Sequence, residues 1–481
     1  MSGVSSQKIQ ELSSLSQKIA PLFSYILPPD RIRTGADDLI KYGRDWRTEL
    51  TPNPSLILFP ISIIEVQEIV RKCIAENLGI VPSGGRTGLS GGATATKGEV
   101  VLSFEKFNKK AIVNKIDRTL TLDPGVTTER AINVAKEAGL HLPLDFAAKG
   151  SAQIGGNIAT NVGGIKVIKW GNIRRWVLGL TVVTGTGEVM RLNGALYKNQ
   201  TGYDLRNLII GSEGTLGLVV EAILTLTNPP GPEERVLCAI ADYQDIPRLL
   251  ERCRDIFPSL SLFEFFDDFC LDVVIESHRL SNPFTEKYPG YILLDIENCT
   301  SSDIEEGLSQ LLEEGILCDV VIAQGSKQKQ DLLNYRELIS ETLSSSYSIH
   351  KNDISVPLST LAEFIQKLPR VLLQIDQRLE VGIFGHLGDG NLHLNYVKPT
   401  YMKETEFSES CKIADEAVYS LIKSLGGSIS AEHGVGLLKL PYLSYTQSSI
   451  ESALMADIKR AFDPHGILNP GKMLPSSFFS V

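Results

Sequence analysis

No block of lysine or arginine interrupts the 481 residues, and acidic side chains (57) outnumber basic ones (47), for a net charge of −10. A nucleic-acid binder shows a basic face, and a membrane-surface binder a polybasic patch, so neither partner is expected. Cysteine is scarce and odd in number: seven, at Cys73, Cys238, Cys253, Cys270, Cys299, Cys318 and Cys411, with no CxxC or CxxxC pair. That spacing excludes a disulfide framework, a zinc ribbon and a locally encoded iron–sulfur cluster, and favours a reducing compartment. No apolar run approaches the roughly 18 residues of a membrane-spanning helix. A GxxxxGK[ST] phosphate loop and a GxGxxG opening a helix are also missing. The segment from Met1 to Leu27 has no arginine and no apolar signal core. It reads as a short amphipathic helix carrying Ile9, Leu12, Leu15 and Ile19. The expected location is cytoplasmic, with an organelle matrix or peripheral membrane association left open.

What is present is an ordinary globular composition, 43% hydrophobic and 22% charged, and enough length for about three domains at roughly 100–200 residues each. Residues 1–49 read as an N-terminal helical segment. Residues 50–230 alternate short strand-like runs with glycine-rich turns. Ser55–Pro60 and Leu78–Pro82 read as strands, Ile63–Glu76 and Thr128–Ala138 as helices, and Leu178–Leu192 as a hairpin about Gly185-Thr186-Gly187. Asn228-Pro229-Pro230-Gly231-Pro232 is the strongest breaker in the chain and marks a boundary. From 231 to 430, strand-like runs (Arg235–Ala241, Tyr291–Glu297, Val320–Ala323, Leu379–Phe384) alternate with amphipathic helices (Ile246–Ile256, Asp303–Glu314, Ser359–Leu373). That pattern predicts an α+β domain, a mainly antiparallel sheet with helices on one face. Residues 431–481 add a helix (Ile450–Phe462) and a tail punctuated by proline and glycine.

Three loops in the first zone are built for close backbone approach. Five of the nine residues from Gly84 to Gly92 are glycine, and successive N–H groups of such a loop converge on a pyrophosphate-sized anion. The run from Gly150 to Asn161 mixes glycine with small polar residues and avoids charge. Gly211-Ser212-Glu213-Gly214-Thr215-Leu216-Gly217 follows an apolar stretch. Any one of them could be a plain surface loop; three within one α/β zone point to a long dinucleotide.

The motifs PSGGRTGLSGG (82–92), GSAQIGGNIATNVGG (150–164) and GSEGTLG (211–217) resemble the FAD domain of the vanillyl-alcohol oxidase / p-cresol methylhydroxylase superfamily. Within it they are similar to the D-2-hydroxy-acid dehydrogenase branch, which includes the D-lactate, D-2-hydroxyglutarate and glycolate enzymes. The resemblance covers residues 30–475. It implies a two-part FAD-binding domain and an antiparallel-sheet substrate (cap) domain, with residues 431–481 returning to the FAD site. By the same resemblance FAD is held by Pro82, Ser83, Gly84, Gly85, Arg86, Thr87, Gly88, Ser90 and Gly91. The second loop would contribute Gly150, Ser151, Gly155, Gly156, Asn157, Thr160, Asn161 and Gly163, and later segments Glu213, Gly214 and Asn469. Some members tether FAD through a His or Cys in these loops. Neither residue occurs in 82–92 or 150–164, so non-covalent FAD is expected.

Gly382–Asn395 reads as strand, Gly-Asp-Gly turn, strand. A four-residue loop at 387–390 pairs His386 with Asn391, which puts His386, Asn391, His393 and Asn395 on one face. Two imidazoles so placed can chelate. Glu432 and His433 lie downstream, so three of the seven histidines fall between 386 and 433. Two His and a carboxylate form a common open divalent-metal site; the alternative is a set of hydrogen-bonded core histidines. Matched to the family motifs, His386, His393 and Glu432 fall on metal ligands, with zinc expected and manganese and iron as alternatives. His433 falls on the catalytic base, which also touches substrate, and Asn395 on a substrate contact.

Arg336 and Ser340 share a face of a predicted helix, and Lys351 sits on the next predicted strand. The resemblance makes these three the substrate-carboxylate anchor, whereas Arg336 in isolation reads as a solvent salt bridge with Glu337 or Glu341. Lys351 is closer to the D-2-hydroxyglutarate members than to the glycolate type, while Ser340 stands where those members commonly carry Thr. The function expected is FAD-dependent, metal-assisted oxidation of a small D-2-hydroxy acid to the 2-oxo acid. Electrons would pass to an external acceptor such as an electron-transfer flavoprotein or a quinone. The alternatives are the FAD subunit of a glycolate oxidase complex, a non-redox flavin transferase of the alkyl-glycerone-phosphate synthase type, and a metallohydrolase. A homodimer is an open possibility.

Overall fold

The computed structural model describes residues 16–478. Most of the expected N-terminal helix therefore lies outside the described residues. Its last members are described, and Ile19, Phe23 and Leu27 are buried in a core cluster. The chain divides into two compact units: residues 1–164, 172–229 and 432–481, and residues 165–171 and 230–431.

The first unit holds two sheets. The smaller has strands β1 (Ile32–Arg33), β2 (Leu56–Leu58), β3 (Ile80–Ser83) and β4 (Val100–Ser103) in the order β1-β2-β4-β3, with β2, β4 and β3 parallel. Leu56–Leu58 is buried on both faces, as a parallel strand covered on both sides must be. One cover is helix α1 (Ile63–Ala75), capped by the Ser62 hydroxyl, whose Val66, Ile69, Val70 and Cys73 enter the core at helical spacing. The C-terminal segment joins the free edge of β3: Ile80 N–H donates to Ile467 O, and Asn469 N–H to Ile80 O, each at 2.7 Å.

The larger sheet is antiparallel, with β5 (Ala111–Asn114), β6 (Thr119–Leu122), β7 (Val177–Val183), β8 (Val189–Leu192) and β9 (Leu218–Thr225) in the order β5-β6-β9-β7-β8. The predicted hairpin is the β7–β8 pair. Helix α2 (Ile154–Thr160) packs on this sheet through Ile154 and Ile158. Part of the second glycine-rich run, expected as a loop, is therefore a short helix. Its glycines lie on the turns, and Asn161 closes it in the left-handed region (φ 52°).

The second unit is one antiparallel sheet of seven strands: β10 (Glu233–Ile240), β11 (Leu260–Asp267), β12 (Gly290–Glu297), β13 (Asp319–Ile322), β14 (Ile349–Ser355), β15 (Glu380–Gly385) and β16 (Asn391–Val397), in the order β13-β10-β12-β11-β15-β16-β14. The α+β class and the antiparallel sheet hold. One detail differs: every residue of β11 and β12 is buried, so helices cover both faces of the central strands, not one. Helices α3 (Asp268–His278), α4 (Ser326–Glu337) and α5 (Ile339–Ser346) pack on one face with Leu237, Leu262, Phe266 and Leu293. Helix α6 (Glu404–Ser424) lies on the other, where Asp415 accepts from Asn352 and pairs with His350. Alternation along the outer strands suggests a solvated face, and that signal is weak where a whole strand is apolar. The predicted single helix through Arg336 and Ser340 is two helices, interrupted at Leu338.

Candidate active site

The register of the second unit decides which side chains share a surface. Phe266 is opposite Phe384, Phe384 opposite His393, Gly382 opposite Asn395, and on the last strand Lys351 opposite Asn395 and Asp353 opposite His393. Period-two alternation then sets Glu264, Phe384, His386, His393, Asn395, Lys351 and Asp353 on one face. The hairpin closes as its sequence predicts: Asn391 N–H donates to His386 O across a 3₁₀ turn at Leu387–Asp389. Gly390 closes that turn at φ 82°, where an added Cβ would stand 2.3 Å from Val356 O.

The two imidazoles meet edge to face, ring centroids 5.3 Å apart. Nδ1 of His386 is 2.7 Å from Glu264 Oε1, and Nδ1 of His393 is 3.5 Å from Asp353 Oδ1. Each ring thus has its inner nitrogen against a buried carboxylate, which leaves Nε2 as the outward nitrogen. That is the arrangement of metal-ligating histidines, whose other nitrogen is held by a carboxylate. Burial alone would push the Glu264 carboxyl up, but His386 and Arg336 beside it bring it below its ordinary range, so it stays ionised. Glu432 begins the stretch of the first unit that follows, four residues after Ser428, which bridges Ser355 at the end of β14.

Arg336 is buried, and its partner is neither Glu337 nor Glu341: Nη2 lies 2.8 Å from Glu264 Oε2. Its guanidinium sits over the Phe384 ring at 4.8 Å, and Nε is buried with no hydrogen-bond partner. A buried donor without a partner costs about 1–3 kcal/mol, which a ligand oxygen removes. Lys351 Nζ is 3.4 Å from Ser340 Oγ, so those two form a second polar pair. Asn395 is buried on β16. Glu264 and Asp353 were not legible as site residues. The available signal for Glu264 was a lone carboxylate between Leu262-Phe263 and Phe265-Phe266.

In the first unit, the three glycine loops and the C-terminal stretch converge. Gly85 lies against the second loop; a Cβ there would stand 2.1 Å from Ser151 O. Non-glycine residues with positive φ include Arg86, Asn161, Glu213 and Asn469, each in a segment expected to hold FAD. Strained backbone of that kind persists where the surroundings over-determine it. The carboxylate of Glu213 is not free for a ligand: it accepts from Val435 N–H at 2.6 Å and Gly436 N–H at 2.8 Å. Leu437 N–H donates to Ser90 O at 2.9 Å. The loop carrying His433 is thus pinned between the first and third glycine segments. Asn469 Nδ2 donates to Gly92 O and Glu213 O.

The same unit offers buried polar atoms without hydrogen-bond partners: Ser83 Oγ, Gln153 Oε1, Asn469 Oδ1 and Lys472 Nζ. Together with a cradle too tight for side chains, these fit a large polar ligand such as FAD. Lys472, missed in the sequence, is the cation of the set. Burial pulls it down to about 8, against Glu99, Glu213 and Asp45, which raise it. A groove of about 830 Å³ on this unit, lined by Ile61, Ile64, Phe107, Val189, Arg191 and Glu221, contains none of these residues.

A family model for an FAD binding domain matches residues 54–193, and one for the C-terminal domain of FAD linked oxidases matches residues 230–473. The D-2-hydroxyglutarate dehydrogenase of Xanthomonas citri pv. viticola is 45% identical over 93% of this chain and 95% of its own. That of Stutzerimonas stutzeri is 44% identical over 93% and 97%, and the mitochondrial enzyme of Danio rerio 35% over 97% and 86%. Among solved structures, 4-ethylphenol oxidase from Gulosibacter chungangensis superposes with a TM-score of 0.73 at 17% identity, covering 99% of both chains. For p-cresol methylhydroxylase with substrate bound the TM-score is 0.72 at 16% identity, over 99% and 98%. The architecture is therefore that of the p-cresol methylhydroxylase-type flavoproteins. The chain belongs to the FAD-linked oxidases, in the family of the D-2-hydroxyglutarate dehydrogenases.

Two outcomes are expected from the first unit. Gly85→Ala forces the first and second loops apart and should lower the flavin content of the purified protein, read from its absorbance near 450 nm; unchanged content would separate this contact from cofactor binding. Lys472 has a folded acid constant below its ordinary value, so below pH 8 the fold carries a buried cation. Its cost, on the order of 3 kcal/mol, disappears as the pH rises towards 10.5. In FAD-stripped protein, Lys472→Met should therefore gain stability over wild type at pH 7, and the gap should shrink by pH 10. A gap in urea midpoints that does not change with pH would show that Lys472 is not the buried cation.

Proposed function

We propose that the protein oxidises D-2-hydroxyglutarate, or a close D-2-hydroxy acid, to the 2-oxo acid with non-covalent FAD and one divalent cation. The observation that carries the substrate is identity of 44–45% to D-2-hydroxyglutarate dehydrogenases along nearly their whole length. Two cationic anchors on the second unit, Arg336 and Lys351, suit a dicarboxylate. Arg336 has a buried N–H to offer a carboxylate and a flat guanidinium held against Phe384. Lys351 supplies a point charge beside the Ser340 hydroxyl.

His386, His393 and Glu432 would ligate the cation, with both histidines oriented through Nδ1. FAD would lie along residues 82–91, 150–163, 213–214 and 469. When bound, the flavin accepts the hydride from C2 and the cation lowers the pKa of the 2-hydroxyl. His433 takes the hydroxyl proton on an imidazole nitrogen, since a neutral imidazole is a competent base near neutrality. Glu213 fixes the loop that carries it. Asn395 contacts the acid. Electrons leave to an external acceptor, a flavoprotein or quinone. Among the described residues, no helix is long and apolar enough to cross a membrane.

Anaerobic bleaching of the flavin tests the substrate: D-2-hydroxyglutarate should reduce it faster than D-lactate or glycolate, and a preference for glycolate would favour the glycolate reading. His433→Gln should retain FAD and metal and slow reduction by about 10²–10⁴; reduction at the wild-type rate would remove His433 as the base. Chelation should abolish turnover, with restoration by Zn²⁺ or Mn²⁺; turnover after verified metal removal would overturn the metal.

A further inference from the structure

Five side chains of the second unit close into a ring. Glu264 Oε1 holds His386 Nδ1 at 2.7 Å, and His386 meets His393 at 5.3 Å between centroids. His393 packs on Phe384 at 5.1 Å, Phe384 on the Arg336 guanidinium at 4.8 Å, and Arg336 returns to Glu264 Oε2 at 2.8 Å. Glu264, Phe384 and His393 come from the adjacent strands β11, β15 and β16, His386 directly follows β15, and Arg336 comes from α4. Glu264 is 2% exposed within a fully buried strand, flanked by Leu262, Phe263, Phe265 and Phe266. Sheet packing does not ask for a carboxylate there, and burying one costs several kcal/mol unless it is fully paired.

We propose that Glu264 is a positioning residue that couples the cation site to the substrate-carboxylate clamp. One oxygen accepts the Nδ1–H of His386, so that Nε2 is the nitrogen presented to the metal. The other forms the ion pair that keeps the guanidinium of Arg336 over Phe384, so that its remaining donors are available to the acid. A single rigid carboxylate thereby sets the spacing between the metal ligand and the group that grips the carboxylate. The inference rests on the metal and substrate reading above and extends it. A purely structural role, neutralising Arg336 during folding, would leave metal affinity and the His386 tautomer untouched.

The test uses the FAD-loaded full-length chain and Glu264→Gln, checked for flavin content and circular dichroism. A glutamine amide cannot accept from both donors. Affinity for Zn²⁺ or Mn²⁺, read by chelator competition, should fall about 10- to 100-fold, and KM for the 2-hydroxy acid should rise with it. Glu264→Asp, which keeps the charge but withdraws it by one methylene, should recover less than half of either loss. Wild-type metal affinity in Glu264→Gln, or a KM change without a metal change, overturns the coupling. Should the variants fail to fold, ¹⁵N-histidine spectra of wild type decide: the neutral Nδ1–H tautomer of His386 is expected, and an Nε2–H tautomer overturns the proposal. A wild-type protein that takes up no metal and is not bleached by any hydroxy acid removes the parent reading and this one together. Normal wild-type behaviour with unaffected variants removes Glu264 alone.

Discussion

A carboxylate cannot remain ionised inside a protein without partners, and two buried glutamates organise the two units of this chain. In the second unit Glu264 holds a histidine and an arginine at once. In the first, Glu213 accepts two backbone N–H groups from the loop carrying His433. Glu264 exchanges hydration for a hydrogen bond with His386 and an ion pair with Arg336, while burial pushes the Glu213 carboxyl up against the two backbone N–H groups that favour its charged form. His386 and Arg336 are held by the first of these anchors, and the backbone that follows His433 by the second. Removing either one would leave buried donors unpaired, which is why both sites are over-determined.

The first unit meets a second constraint, close approach of backbone to a large polar ligand. Glycine gives the room, as Gly85 against Ser151 shows, but glycine is not the whole device. Arg86 and Glu213 adopt the left-handed region that their side chains disfavour. The surrounding hydrogen bonds hold them there, including those of the 435–438 loop to Glu213 and Ser90. The unpartnered Ser83, Gln153, Asn469 and Lys472 atoms lie in the same unit, so strain and unsatisfied polarity occur together. That combination is expected of a site that receives a cofactor.

Much of this was readable from residue order. The hairpin parity that puts His386 beside His393 needed only a strand period of two and a four-residue loop, and the structure has that register. The amphipathic spacing of Ile63–Ala75 and the breaker at Asn228–Pro232 were equally local signals. Partners distant in sequence were not readable in this way. In isolation Arg336 has Glu337 and Glu341 as neighbours along the helix, whereas its ion-pair partner Glu264 lies on β11. The second glycine run reads as a close-approach loop, yet Ile154–Thr160 within it is a helix, because Ile154 and Ile158 find an apolar sheet to cover.

Sequence alone determined the chemistry available: three glycine-rich segments without His or Cys to bond a flavin, two histidines on one strand face, and a basic pair suited to an acid. These follow from local backbone periodicity and from residue type, which do not depend on the rest of the fold. Only tertiary structure decided which nitrogen each histidine turns outward, that one buried glutamate serves both His386 and Arg336, and that helices cover both faces of the sheet. Those outcomes depend on which elements pack together, and the antiparallel order β13-β10-β12-β11-β15-β16-β14 joins strands far apart in the chain.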